Sequence, residues 1–251
     1  MTDAGAATAY LEQPDGPRLA YRLRSGRSPT LLFLPGYASD MDGAQAVAID
    51  AFAQRRGLAM LRFDYSGTGS SGGLFDEGTL ERWIDEAQAM AEQLTDGPLI
   101  AIGSSMGGWI ALHLALRIPE RIEALVGIAA APDFTDWGFT TAEKDEIREH
   151  GEIERPNPYS AEPQRTTRAF WESGQRLRLL GGPIALDCRV RLVHGEADAD
   201  VPVAVAMALM QRLRSADVQL HILKGGGHRL SEPTEIEAII RTLAALLEPC
   251  P

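Results

Sequence analysis

The chain is poor in cysteine and has no long apolar stretch, and each absence excludes a class of protein. Cys188 and Cys250 are the only cysteines among 251 residues, too few for a disulfide framework, so we expect a reducing compartment. No segment approaches the roughly 18 apolar residues that a membrane-spanning helix needs. The first ten residues carry neither the basic nor the apolar part of a secretory signal peptide. These absences predict a cytoplasmic protein that does not enter a membrane.

Basic residues are also scarce. The chain has 24 Lys and Arg against 35 Asp and Glu, a formal net charge of −11 at pH 7. A surface with this balance repels nucleic acid backbones and anionic membrane faces, so neither is an expected partner. A hydrophobic fraction of 45% within this length suits one domain over residues 1–251 with a single large core. The composition indicates no particular oligomeric state.

Short apolar runs alternate with longer segments of helical periodicity along most of the chain. This alternation is typical of the α/β class, in which a mostly parallel central sheet is covered by helices on both faces. The predicted strands are 18–23, 30–34, 58–63, 98–102, 124–128, 190–193 and 218–222, and the predicted helices are 44–54, 80–94, 106–116, 203–213 and 235–247.

The alternation is interrupted between about Pro132 and Pro183, where no βα unit is apparent. Structureless loops of this length are uncommon, so we expect a helical cap inserted at about 133–183. Its aromatic residues either line an apolar acyl groove or, as is commoner, pack the cap against the core. Its arginines either meet a carboxylate or phosphate of a leaving group or form a solvated face, which is again the commoner role. The aromatic residues are Trp137, Phe139, Phe170 and Trp171, and the arginines are Arg165, Arg168, Arg176 and Arg178.

The most informative segment is Gly103-Ser-Ser-Met-Gly107, which fits the pattern G-x-S-x-G between a predicted strand and a predicted helix. In this context the central serine, Ser105, stands on a sharp turn at the helix N-terminus and is the candidate nucleophile. The free N–H of Met106 and the helix dipole favour the negative charge that develops on a tetrahedral intermediate. Ser104 is one residue off the pattern.

A serine nucleophile needs a base and an acid, and this arrangement supplies them in the chain order Ser, then Asp or Glu, then His. Two loops that follow predicted strands provide both. His228 follows three glycines, which allow its loop to bring the imidazole to Ser105, and Asp198 is the candidate for orienting it. Asp200 is a close competitor for the acid, and Asp133 a more distant one.

The four remaining histidines are weaker candidates. His113 lies within a predicted helix, His150 within the cap and His221 within a predicted strand. His194 ends its strand beside a glycine, where a structural hydrogen bond is the favoured role.

A second donor for an oxyanion hole is expected from the loop after an earlier strand. Phe33-Leu-Pro-Gly-Tyr37 suits this role, because Gly36 allows a sharp turn that aims the Tyr37 N–H at the same pocket. A plain turn after a strand is the alternative interpretation.

A second glycine-rich pattern, Gly67-Thr-Gly-Ser-Ser-Gly72, matches the spacing of a dinucleotide-binding loop. Its context disagrees, because no helix is predicted at the third glycine and no acidic strand end follows about 20 residues later. The pattern therefore predicts a structural turn and no bound cofactor. We also expect no metal, since His and Cys never fall at ligand spacing.

With these residues in place, the chain resembles the α/β-hydrolase superfamily over nearly its whole length. Arg62–Ser71 is similar to the glycine-rich loop before the nucleophile, and His194–Pro202 is similar to the acid loop, in which Asp198 occupies the acid position. Leu34-Pro-Gly-Tyr37 with Asp40-Met-Asp-Gly43, and Gly103–Trp109, resemble the abhydrolase-domain branch that contains mitochondrial palmitoyl-protein thioesterases. The resemblance implies hydrolysis of acyl thioesters, activity on acyl glucuronides and a cap over the site. Because the cap sequence is its own and no transit peptide is apparent, the chain resembles a bacterial relative.

The hypothesis is therefore a serine hydrolase that needs no cofactor. Its expected substrates are small-molecule esters or acyl thioesters, and an acylated protein is a further candidate. Ser105 attacks the acyl carbonyl, His228 transfers the proton, Asp198 orients His228, and the amides of Tyr37 and Met106 hold the oxyanion. Because a fold does not fix a reaction, carbon–carbon bond hydrolysis and perhydrolysis are alternatives, as is a non-catalytic protein that binds a small ligand.

Overall fold

The computed structural model describes residues 7–157, 161 and 163–248, so Cys250 lies outside the described residues. In chain order, the strands and helices within these ranges are β1 (Ala9–Leu11), β2 (Leu19–Arg24), β3 (Arg27–Leu34), α1 (Ala44–Arg56), β4 (Leu58–Phe63), α2 (Leu80–Leu94), β5 (Leu99–Ser104), α3 (Met106–Arg117), β6 (Ile122–Ile128), α4 (Phe134–Trp137), α5 (Thr141–His150), β7 (Glu152–Arg155), β8 (Gln164–Thr167), α6 (Arg168–Arg176), β9 (Arg189–Gly195), α7 (Val203–Arg212), β10 (Val218–Leu223) and α8 (Pro233–Leu247).

Eight strands form the central sheet, in the order β1-β2-β4-β3-β5-β6-β9-β10. β2 pairs antiparallel with both β1 and β4, and all the other pairs are parallel. The prediction of a mostly parallel sheet is confirmed, and the predicted strands and helices agree with the observed ones to within a few residues.

The sheet is buried on both faces because its strands direct alternate apolar side chains to opposite sides. Leu31 and Phe33 of β3 pack into the core beneath α1 and α8. Leu32 and Leu34 of the same strand pack into the larger core beneath α2 and α3.

Because the strands from β4 to β10 in the sheet order are parallel, their carboxyl ends lie at one edge. The strand order reverses at β3, which has β4 on one side and β5 on the other. Such a reversal opens a crevice at that edge, where ligands bind in open α/β sheets.

The segment between β6 and β9, called the cap segment below, contains α4, α5 and α6 together with an antiparallel hairpin of β7 and β8. The sequence pattern did not indicate this hairpin, because each strand has only four residues and most of them are polar. Strand β1 was missed for a similar reason, having only three residues. That residues 1–251 form one domain with this segment as its cap stays a prediction.

The cap segment is fastened to the core by side chains that satisfy backbone groups. Asp133, after β6, accepts hydrogen bonds from the amides of Leu179 and Leu180, both at 2.8 Å. Trp109 of α3 donates its indole N–H to the Leu177 carbonyl at 3.2 Å. These contacts fix the return path of the chain to β9.

Within the described ranges, no helix combines the length and apolar character needed to cross a membrane. The cytoplasmic location stays a prediction.

Candidate active site

Ser105 joins β5 to α3 in a strained conformation, with φ 53° and ψ −119°. A positive φ is unfavourable for a residue with a Cβ and persists only where the surroundings impose it. In this turn the Ser105 N–H donates to the Ile128 carbonyl at 2.9 Å, and the Ala131 N–H donates to the Ser105 carbonyl at 3.0 Å. Both bonds tie the turn to the end of β6, so the serine side chain stands at the carboxyl edge of the sheet.

The two glycines of the motif are required by close backbone approach. A Cβ at Gly103 would lie 2.2 Å from the Gly107 carbonyl oxygen, and one at Gly107 would lie 2.0 Å from that of Leu34. Real Cβ atoms do not approach backbone oxygen so closely, so any side chain at these positions would separate β3, β5 and α3. The glycines therefore bring the Ser105 turn against the end of β3.

His228 links Ser105 to Asp198. Its Nε2 lies 3.0 Å from Ser105 Oγ, and its Nδ1 lies 2.9 Å from Asp198 Oδ2. The carboxylate accepts a hydrogen bond from the Nδ1–H of the neutral ring, which then presents an unprotonated Nε2 to the serine hydroxyl. The structure thus brings together the three residues that the sequence pattern singled out from loops far apart in the chain.

The Asp198 side chain is completely buried, with a relative exposure of 0%. Burial by itself raises the pKa of this carboxyl, but hydrogen bonds from His228 and from the Val201 and Asp200 amides outweigh it, and the pKa is lowered. The two amides donate to Oδ1 at 2.8 and 2.9 Å. The carboxylate is therefore held ionised, and its other oxygen is aimed at the imidazole.

The two competing acids have other environments. Asp200 is exposed and lines the cavity of the site, with a carboxylate oxygen within 4.8 Å of Asp198 and of a His228 ring nitrogen. Asp133 is committed to the two cap amides. Asp198 is the acid whose carboxylate lies at hydrogen-bond distance from the His228 ring.

The acid and histidine loops are held against each other by their backbones. A Cβ at Gly195 would lie 2.3 Å from the Gly226 carbonyl oxygen, so this glycine permits the close approach. The Ala197 N–H donates to that same carbonyl at 2.9 Å. The Gln45 carboxamide of α1 donates to the Arg229 carbonyl at 2.6 Å. The backbone on both flanks of His228 is thus held by hydrogen bonds.

The two candidate oxyanion donors flank Ser105. Met106 is the first residue of α3, so its N–H has no acceptor in a preceding helical turn. Tyr37 lines the same cavity as Ser105. A Cβ at Gly36 would lie 3.4 Å from Ser105 Cβ, which shows how closely the Tyr37 turn passes the serine.

The Tyr37 side chain extends away from this turn into the cap. Its hydroxyl donates to the Arg165 carbonyl of β8 at 2.6 Å, and burial raises the pKa of the phenol well above its usual range. The ring lies 4.8 Å from that of Phe170 in α6 and 5.9 Å from that of Phe134 in α4, measured between centroids. Tyr37 therefore connects the turn beside the nucleophile with the cap.

The remaining histidines make structural contacts or lie at the surface. His194 Nε2 lies 2.8 Å from the Val201 carbonyl and 3.4 Å from Asp198 Oδ2, and the side chain is buried. His113 Nε2 lies 2.8 Å from the Leu177 carbonyl, and burial lowers the pKa of this imidazole. His221 Nδ1 lies 3.1 Å from the Thr242 hydroxyl. His150 is exposed at the end of α5.

A cavity of about 870 Å³ opens onto Ser105 and His228. Its wall contains both apolar and polar side chains, and the polar ones include acidic and basic groups. The apolar residues include Ala131, Phe134, Trp137, Phe139 and Val201, and the polar ones include Ser39, Asp40, Asp42, Arg155, Gln164 and Asp200. The volume is that of a pocket for a small organic molecule.

The cap aromatic residues divide between the two expected roles. Trp137 and Phe139 line the cavity. Phe170 is buried, with its ring centroid 5.4 Å from that of Trp83 in α2. Trp171 is also buried and donates its indole N–H to the Thr135 carbonyl at 2.9 Å.

The four cap arginines considered from the sequence do not line the cavity. Each is occupied by nearby acids or carbonyls, as on a solvated face. Arg165 pairs with Asp76 and Glu154, Arg168 donates to the carbonyls of Ile147 and Arg148, Arg176 pairs with Glu81, and Arg178 pairs with Asp136. The basic cap residue in the cavity wall is instead Arg155, which lies on the hairpin that the sequence pattern did not reveal.

The glycine-rich segment 67–72 is a compact turn. The Gly67 N–H donates to the Gly72 carbonyl at 2.8 Å, and the Ser70 N–H donates to Asp64 Oδ2 at 2.8 Å. No helix begins at Gly72. The segment closes around a buried carboxylate, as expected for a structural turn.

Among the described residues, the one group with metal-ligand spacing is Asp198, Asp200 and His228. Both ring nitrogens of His228 already lie within hydrogen-bonding distance of Asp198 and Ser105. These residues therefore suit proton transfer better than metal coordination.

A strained serine on a strand-to-helix turn, with a histidine and a buried aspartate at the carboxyl edge of a mostly parallel sheet, is the arrangement typical of the α/β-hydrolase fold. The family model described as the alpha/beta hydrolase fold matches residues 29–151. The chain belongs to the α/β-hydrolase family.

Similar proteins narrow the position of this chain within the family. The chain is 38% identical over 244 residues to the human protein named palmitoyl-protein thioesterase ABHD10, mitochondrial, covering 96% of this chain and 80% of the relative. The structure of alpha/beta hydrolase domain-containing protein 10 from mouse superposes with a TM-score of 0.91 at 36% identity, covering 96% and 98% of the two chains. A putative hydrolase from Agrobacterium vitis S4 has the same TM-score at 37% identity, covering 96% and 99%. The predicted resemblance to the palmitoyl-protein thioesterase branch is confirmed.

Proposed function

We propose that the protein is a serine hydrolase that cleaves carboxylic esters and acyl thioesters through an acyl-enzyme intermediate. The observation that carries the proposal is the pair of contacts at His228, 3.0 Å to Ser105 Oγ and 2.9 Å to Asp198 Oδ2. Family membership adds support, because relatives with more than a third of their residues identical are named as thioesterases.

The first half of the reaction acylates Ser105. As Oγ attacks the acyl carbonyl, its proton passes to His228 Nε2, and the positive imidazolium is stabilised by the ionised Asp198. The carbonyl oxygen becomes an oxyanion, which the amides of Tyr37 and Met106 stabilise. His228 then returns the proton to the departing alcohol or thiol, and the acyl group remains on Ser105.

The second half reverses these roles with water. His228 accepts a proton from a water molecule that attacks the acyl-enzyme, the same amides stabilise the second oxyanion, and the proton returns to Ser105 Oγ as the acid leaves. No step requires a cofactor or a metal ion. The acylated cysteine of a protein is one member of this substrate class.

The apolar side chains in the cavity wall suit an acyl chain. Phe134, Trp137 and Phe139 belong to the cap segment and lie in the wall of the cavity that holds Ser105. Burying methylene groups against such side chains contributes about 0.8 kcal/mol each. Cap residues at these positions therefore set the preferred chain length.

The deciding experiment compares Ser105→Ala with Ser104→Ala on p-nitrophenyl butanoate and on a short acyl thioester. Replacing Ser105 removes the nucleophile, so kcat falls by a factor on the order of 10⁶. Ser104→Ala, one position away, retains most of the activity. Unchanged hydrolysis in Ser105→Ala would refute the proposal.

Labelling by a fluorophosphonate separates an enzyme from a protein that only binds a small ligand. The activated serine forms an adduct at Ser105, and Asp198→Asn slows the labelling because the imidazole no longer has the correct tautomer. If no adduct forms while small esters bind, the alternative of a binding protein is correct.

A further inference from the structure

The cap hairpin places two polar side chains in the wall of the cavity that holds Ser105 and His228. Arg155 of β7 and Gln164 of β8 are directly opposed in the antiparallel pair, so their side chains lie on the same face of the hairpin. Both residues line the cavity.

The Arg155 guanidinium is held in one orientation by three neighbours. Its centre lies 4.1 Å from the centroid of the Phe139 ring. Nε donates to Glu143 Oε1 at 2.8 Å, and Nη2 lies 2.7 Å from Glu143 Oε2 and 3.0 Å from the Gly138 carbonyl. A guanidinium fixed in this way loses little further freedom when it binds a ligand.

Two groups of this pair have no partner in the described part of the chain. Nη1 of Arg155 makes no hydrogen bond there, although Nε and Nη2 are both occupied. The Gln164 carboxamide likewise makes none within those residues. Four N–H donors, two on each group, are therefore available at one place in the cavity wall.

We propose that Arg155 and Gln164 form a subsite for a carboxylate of the substrate, which gives the enzyme a preference for acidic esters and thioesters. The proposal rests on the proposed hydrolysis at Ser105. A carboxylate offers acceptors to both side chains, and its charge is matched by the guanidinium.

The electrostatics of the cavity make this recognition a short-range one. The chain has a net charge of −11, and the Glu143 carboxylate offsets the positive charge of Arg155. Long-range attraction of an anion is therefore weak. Asp42, on another part of the wall, is paired with Arg22 and with Arg62. Arg22 and Arg62 are thus already paired with a carboxylate, and Arg229, the other arginine that lines the cavity, also has a partner. The hairpin offers donors that have none within the described residues.

The carboxylate can belong to the acyl group or to the leaving group, and paired substrates separate these sources. Monoethyl adipate against ethyl hexanoate tests an acid on the acyl side. Carboxymethyl butanoate against ethyl butanoate tests an acid on the leaving-group side. Hydrolysis of all four is followed by the release of acid in a pH-stat.

The variants are Arg155→Gln and Gln164→Leu, with Arg165→Gln as the matched control. Arg165 lies beside Gln164 on the same hairpin but does not line the cavity. Gln164→Leu leaves the contacts between Arg155 and Glu143 in place, so it tests the subsite even if Arg155→Gln disturbs the cap.

We expect kcat/KM for the acidic member of one pair to fall by about tenfold to a hundredfold in Arg155→Gln, the effect of losing charge-assisted hydrogen bonds. Gln164→Leu lowers it by several-fold, and Arg165→Gln has no selective effect. The neutral esters are hydrolysed equally well by all of these proteins.

Two outcomes would overturn the subsite. One is an equal loss on acidic and neutral substrates in both cavity variants, which would indicate a scaffold role. The other is that wild type hydrolyses neutral esters through Ser105, while Arg155→Gln and Gln164→Leu hydrolyse the acidic esters as fast as wild type does. Failure of the underlying hydrolase proposal gives a different result, in which Ser105→Ala cleaves every substrate as the wild type does.

Discussion

Gly107→Ala tests whether the close contact between α3 and the end of β3 is needed for the reaction. The added methyl group would lie 2.0 Å from the Leu34 carbonyl oxygen and 2.6 Å from that of Pro35. Both atoms belong to the backbone that leads into Gly36 and Tyr37. Neither can move aside by a change of rotamer, so the whole turn must shift.

Two effects of this substitution oppose each other. Alanine is a better helix former than glycine by about 1 kcal/mol, which stabilises α3. Against this, relieving the contact requires a shift of roughly 1 Å, and overpacking of this kind costs about 1–3 kcal/mol. The steric effect is the larger, so we expect a midpoint of thermal unfolding lower by several degrees.

The expected effect on the reaction is larger than the effect on stability. A shift of about 1 Å displaces the Tyr37 amide from the position that the oxyanion occupies, and misplacement on this scale costs about 10²-fold in rate. Steady-state hydrolysis of p-nitrophenyl butanoate measures kcat, and circular dichroism on heating measures the midpoint. The loss should appear in kcat more than in KM, because the oxyanion exists only in the transition state.

Gly182→Ala is the matched control, since a Cβ there meets nothing within 4 Å and its backbone needs no positive φ. We expect wild-type kcat and stability from this variant. If Gly107→Ala retained wild-type kcat and an unchanged midpoint, the role assigned to this contact would be wrong.

The contacts of the acid loop and the cap lead to three further predictions. Asp198→Asn should lower kcat by about 10⁴-fold because His228 loses the partner that sets its tautomer, whereas Asp200→Asn should lower it far less; equal losses would contradict the choice of acid. Tyr37→Phe removes the hydrogen bond to the carbonyl in β8 and should lower the free energy of unfolding by about 1 kcal/mol in urea titrations; an unchanged urea midpoint would show that this bond does not contribute. Burial tends to raise the pKa of Glu143, but hydrogen bonds led by that from Arg155 lower it from 4.5 to about 2. Because the folded-state pKa is depressed, the stability advantage of wild type over Glu143→Gln should be complete above pH 4.5 and should disappear as the pH falls toward 2. A difference that stayed constant over this range would contradict the pairing.

Ser105 and His228 could be singled out as the candidate nucleophile and base because their signals are local. A strand, a serine between closely spaced glycines and a helix follow one another within a few residues around Ser105, and His228 follows a glycine run after a strand. A residue that directly follows a parallel strand lies at the carboxyl edge of the sheet, so the neighbouring sequence is enough to place each motif there. The α/β class was predictable for the same reason, since buried parallel strands appear as continuous apolar runs.

The choice between neighbouring acids could not be settled in this way. Asp198 and Asp200 lie two residues apart on one loop, and the sequence favoured the first without excluding the second. The structure separates them through hydrogen bonds, because two amides bind Oδ1 of Asp198 and leave Oδ2 to His228.

The cap shows where sequence reasoning reached its limit. Strands β7 and β8 are short and polar, so they carry no apolar alternation that would distinguish them from a loop. Arg155 therefore had no predicted role, although the solvated face favoured for arginines such as Arg165 agrees with their pairing to surface acids.

By itself, the sequence determined the order of buried strands and helices, the strained serine turn and the residue types that can carry proton transfer. These properties depend on apolar periodicity and on glycines at fixed spacings, which are signals between residues close together in the sequence. The tertiary structure alone decided which acid meets His228, how Tyr37 connects the Ser105 turn to the cap, and which cap arginine lines the cavity. Those outcomes depend on distances between residues far apart in the chain, and such distances are fixed only when the sheet, the loops and the cap pack together.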